Sequence, residues 1–131
     1  MRSCAFALSV ALALFCAPGA TRAGEEIGEN FRRFCESWME RLHEQEKANR
    51  RALEWRATPD GFEAEYVGYG PLLRCEARGE GSTAVGKLAY EEYRYRQKGP
   101  TREAAEAARP EIVDATEVTE VFRYDGSKWA Y

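Results

Sequence analysis

The sequence predicts an α+β fold: one long N-terminal helix packed on a curved antiparallel sheet of five or six strands, with a short helix before the fifth strand. Three observations carry this expectation. Apolar residues recur at helical spacing from Ile27 to Leu42. From Leu53 onward they alternate with polar ones instead, which is the period of a half-buried strand. Turn chemistry punctuates that alternation at Pro59-Asp60-Gly61, Gly79-Glu80-Gly81 and Asp125-Gly126-Ser127.

The chain has 131 residues, and its first 23 read as a secretory signal peptide. Arg2 supplies a positive start, residues 5–16 are apolar or small, and Thr21-Arg22-Ala23 suits a peptidase that cuts after Ala23. A membrane anchor would need about 20 apolar residues, and Pro18-Gly19 interrupts this run. Phe15 before Cys16 argues against lipidation. Residues 24–131 then form a single domain, expected to be exported to a periplasm or secreted, with no membrane span after cleavage. Of 19 basic and 22 acidic residues, Arg2 and Arg22 leave with the signal, so the mature net charge is 17 − 22 = −5. An acidic chain with interspersed charges and no basic stripe is a poor nucleic-acid binder.

Removing the signal leaves two cysteines, Cys35 and Cys75. An even pair in an exported chain points to a disulfide, and their separation fits neither a C-x-x-C redox pair nor a metal cluster.

The helix is expected over residues 25–49, with Ile27, Phe31, Phe34, Cys35, Trp38, Met39 and Leu42 on one stripe. Glu29/Arg33 and Glu46/Arg50 are favourable pairs four apart. Beyond Leu42 the stripe thins, so the last two turns are expected to project or fray. The alternative is a helix that continues to Trp55.

Strands are expected at 51–58 and 61–69, joined by Thr58-Pro59-Asp60-Gly61. Gly68-Tyr69-Gly70-Pro71 reads as a bend, after which Leu73, Cys75 and Ala77 begin a third strand. A fourth runs from Thr83 to Gln97. Leu88 and Tyr90 share one face of it while Tyr93 and Tyr95 share the other, so a bulge or sharp twist is expected near Glu91-Glu92. Thr101 caps a short alanine-rich helix that Pro110 stops. Ile112–Tyr124 is the fifth strand, and a D-G turn leads to a last one anchored by Trp129.

The element order is similar to cystatin-like and NTF2-like α+β proteins. The closing VTEVFRYDGSKWAY, from Val118, resembles the terminal hairpin of NTF2-like proteins over about a tenth of the chain. Such a likeness implies a fold and no function.

Catalytic signatures are scarce. His43 is the only histidine and reads as a surface residue. Ser37, Ser82 and Ser127 lie on the helix or in turns, and no glycine-rich loop opens a helix to cradle a phosphate. No metal-ligand cluster or cofactor motif is present. Glu120 shares a face with Val118 and Phe122, so it is expected to be either a pocket carboxylate or, preferably, a rim group paired with an arginine. Tyr93 and Tyr95 are the tyrosines most plausibly left for a ligand. The expected function is a small non-enzymatic binding domain for a protein, peptide or small ligand. The alternative is a small-molecule or enzymatic pocket using Glu120 and nearby tyrosines.

Overall fold

The computed structural model describes residues 22–131. The expected signal peptide lies outside the described residues, apart from Arg22 and Ala23. These two open helix α1, which spans Arg22–Arg51. Five strands follow: β1 (Arg56–Thr58), β2 (Gly61–Arg78), β3 (Val85–Gly99), β4 (Glu111–Tyr124) and β5 (Trp129–Ala130). They form one antiparallel sheet in chain order, curled into a half-barrel. Helix α2, Arg102–Ala107, precedes β4, and the Thr101 hydroxyl accepts the Ala104 N–H as its cap. The α+β architecture is therefore the one the periodicities predict.

Several local expectations are settled or corrected. Helix α1 ends at Arg51, where Ala52 N–H reaches the Ala48 and Asn49 carbonyls, so it stops near the expected Asn49 and does not continue to Trp55. Strand β1 accordingly has three residues rather than eight. The bend at Gly68–Pro71 is not a break: β2 runs 18 residues through it. Its register slips there, from Tyr69↔Glu92 to Leu72↔Tyr90 to Arg74↔Ala89. A bulge of this kind is where a strand tolerates the missing N–H of Pro71.

The irregularity expected near Glu91-Glu92 is present opposite Glu91, in the pairing of β3 with β2, but the extra residue lies on β2; the pairing of β3 with β4 is regular across Glu91 and Glu92. The two sets of apolar residues do stand on opposite faces, and each face is covered at a different end of the strand. Leu88 and Tyr90 meet the first half of α1. At the other end, Gln97 and Gly99 meet α2: Gln97 Nε2 donates to the Ala108 carbonyl at 2.8 Å. A Cβ on Gly99 would come within 2.5 Å of Ala105 N.

The main core joins Ile27, Phe31, Cys35 and Met39 of α1 to Leu88, Tyr90, Phe122 and Trp129. Phe31 has no exposed surface, and its ring fills the space a Cβ on Gly86 would need, at 2.2 Å. Cys35 and Cys75 are disulfide-bonded with Cα atoms 6.3 Å apart, tying α1 to β2. Trp129 Nε1 donates to Asn30 Oδ1 at 2.8 Å, fixing the last strand to the start of the helix.

The last turns of α1 do not fray. Glu46 accepts the Tyr69 backbone N–H at 3.0 Å, and Asn49 Nδ2 donates to the Val67 carbonyl at 2.9 Å. Polar side chains thus bind the edge of β2, and the helix end passes over that edge to the opposite face of the sheet. There Arg50 stands 5.9 Å above the Tyr66 ring.

Candidate functional site

The end of α1, the segment after it, and α2 enclose a cleft on that opposite face. Its floor comes from alternation along paired strands: Tyr66 lies opposite Tyr95, and Ala64 opposite Gln97. The Tyr66 and Tyr95 rings stack at 5.0 Å with 19° between planes. Tyr93 continues the row, edge-on to Tyr95 at 5.9 Å.

Two open hollows share Arg50. One, of about 600 Å³, is lined by Lys47, Arg50, Arg51, Trp55, Arg102 and Gln97, among others. The second, of about 500 Å³, is lined by Arg50, Tyr66, Tyr95, Arg109 and Ile112 with Glu46. Arg102 lies 5.0 Å over the Trp55 ring and is held there by Glu106 at 2.6 Å. Lys47 pairs with Glu44 at 2.6 Å. Among the described residues Arg50, Arg51 and Arg109 make no ion pair. By contrast, Arg56, Arg94 and Arg96 on the sheet are taken up by Glu63, Glu65 and Asp114.

The cleft therefore offers donors and few acceptors. A guanidinium presents a fixed fork that grips a carboxylate or phosphate through two hydrogen bonds. Burial pushes the Tyr66 and Tyr95 hydroxyls up, with Arg50 opposing the shift in both and Glu46 adding to it. Both hydroxyls thus stay protonated at neutral pH. Trp55 adds a flat apolar wall against which part of a ligand can rest. Part of the positive charge also serves the helix, because Arg50 and Arg51 occupy its last turn, where the dipole favours cations.

The three residues singled out by sequence are not brought together. Tyr95 lines the cleft and Tyr93 adjoins it, with its hydroxyl held by Glu91. Glu120 pairs with Leu88 and so faces the main core, on the other side of the sheet. At about 3.3 Å per residue, its position along β3 lies roughly 23 Å from that of Tyr95. Glu120 has no arginine partner among the described residues. It accepts instead from Tyr90 Oη at 3.4 Å and bonds the Tyr131 hydroxyl. Burial, then Glu120, pushes Tyr90 up to about 12.

Arg50, Arg51, Trp55, Arg102 and Arg109 are site residues that the sequence reading missed. Three of them flank Leu53 within six residues, a cluster of cations beside a tryptophan in an acidic chain. That was the available signal, and it reads equally as a solvated helix end. His43 is exposed, and no His, Cys, Asp and Glu group among the described residues could hold a metal ion. No helix among them is long and apolar enough to cross a membrane.

No protein-family model, curated protein or solved structure matches the chain.

Proposed function

We propose that this protein is a small exported binding domain that holds an acidic peptide segment of a partner in the cleft around Arg50. One observation carries the reading: Arg50, Arg51 and Arg102 converge with Trp55 on a single hollow of about 600 Å³. Carboxylates of the partner meet the arginine forks, and an apolar side chain lies against Trp55. The reading is non-enzymatic, because the cleft presents fixed donors without a nucleophile and base in contact. The apolar leader and the disulfide support export, and the mature chain then begins at Gly24. The element order supports a cystatin-like arrangement, from which no activity is inferred.

The test is a titration of the oxidised protein with a glutamate-rich peptide carrying one phenylalanine, followed by amide NMR. Shifts confined to residues near Arg50, Trp55, Tyr95 and Arg102 support the proposal. Saturable binding mapped to any other surface removes it, as does no binding at low salt. The alternative pocket reading rests on Glu120 with Tyr90 and Tyr131, and shifts gathered there would favour it.

A further inference from the structure

The two edges of the sheet are treated differently. On the β2 side, β1 pairs with Gly61, Phe62 and Glu63, and α1 side chains satisfy the Val67 carbonyl and the Tyr69 amide. On the β4 side, β5 pairs only with Arg123 and Tyr124. Among the described residues, 111–122 therefore have a strand on one side alone. Every second residue of such a strand turns both its N–H and its C=O outward. Residues 111–117 are all exposed, Ile112 to 53 %.

Uncovered edges recruit other strands, and proteins usually blunt them with lysine, proline, bulges or a covering element. Residues 111–122 contain neither lysine nor proline. The pairing of β4 with β3 is regular from Arg123 to Asp114, with one slip, between Asp114 and Ile112. Ile112, Val113, Thr116, Val118, Thr119 and Val121 are β-branched and suit an extended strand. The charges on this stretch are all acidic: Glu111, Asp114, Glu117 and Glu120. Of these, only Asp114 is in an ion pair among the described residues, with Arg94 at 3.3 Å. Two copies joined antiparallel along this edge would bring acid row against acid row, which is unfavourable for directly opposed residues.

We infer that the outer edge of β4 is a docking edge for an extended basic segment of another protein, which adds to the sheet as a further strand. Main-chain hydrogen bonds supply affinity, and lysine or arginine side chains opposite Glu111 and Glu117 select the partner. This edge is separate from the Arg50 cleft and carries the opposite charge.

The probe is a synthetic octapeptide alternating lysine with valine and threonine, added to the oxidised full chain. Expected are amide shifts and slowed hydrogen exchange between residues 112 and 121. Glu117→Lys and, separately, Glu111→Lys should each weaken binding ten-fold or more, and two exposed sites guard against one variant misfolding. Shifts at the Arg50 cleft, no binding, or unchanged affinity in both variants would overturn the inference. So would a concentration-dependent dimer that protects the same amides without peptide, because the occupant would then be a second copy.

Discussion

Glu46 Oε2 accepts the backbone N–H of Tyr69 at 3.0 Å, and through this bond the last turns of α1 are held where they cross the edge of β2. The same crossing places Arg50 over Tyr66, so the cleft depends on a backbone contact made by one of its own lining residues.

Replacing Glu46 tests that dependence. Glu46→Leu leaves a half-buried amide without an acceptor, a loss of about 1–3 kcal/mol. Glu46→Gln keeps an acceptor and should cost less. Urea unfolding gives both values. Equal and negligible losses would mean that the helix end is held by something else.

The Cys35–Cys75 bond closes a loop whose ends are 40 residues apart. Chain-entropy arithmetic gives about 4 kcal/mol for such a loop. Cys35→Ser with Cys75→Ser should lower the unfolding midpoint by a corresponding amount, and reductant should do the same to the unaltered protein. A midpoint insensitive to reductant contradicts this.

The two tryptophans that flank Phe122 and Phe31 should respond differently to replacement. Trp129 donates to Asn30, whereas Trp38 Nε1 is buried with no partner among the described residues. Trp129→Phe loses a hydrogen bond and strands the Asn30 oxygen, while Trp38→Phe removes an unsatisfied donor. We expect Trp129→Phe to be the more destabilising by about 1 kcal/mol, read from paired urea curves.

Acid should weaken the fold through two carboxylates. Asp125 is held below its usual 3.8 by the Lys128 and Ser127 backbone N–H groups and the Ser127 hydroxyl. Glu65 is held below 4.5, first by its hydrogen bond from Arg96. A lowered folded value means that the contribution is present above the unfolded value and is lost as pH falls through the folded one. Thermal midpoints should therefore be insensitive to these groups above about pH 5 and fall below it. Asp125→Asn and Glu65→Gln should each flatten that acid limb, and an unchanged limb in both would contradict the assignment.

The helix stripe, the strand alternation and the Cys35–Cys75 pair were legible because each is a local pattern or a count. The coverage of β3 was not. A period of two tells which residues share a face, and it cannot tell that Leu88 is buried by α1 while Gln97 is buried by α2 on the reverse side. Glu46 and Asn49 were misread for a related reason: they are polar, and their partners are backbone groups on a distant strand. Pro71 looked like a break because the bulge that accommodates it is set by the pairing of β2 with β3. Tyr95 was found as an aromatic on a strand. Arg50 and Arg102 were not, because only the fold brings the end of one helix beside another.

The cleft itself is tested most directly by affinity. The glutamate-rich peptide is titrated calorimetrically into the unaltered protein and into Arg50→Glu, at low and at near-physiological salt. The account predicts binding that weakens with salt and falls at least ten-fold in Arg50→Glu, with the unfolding midpoint of that variant little changed. Equal affinity for both proteins, or binding indifferent to salt, would contradict it.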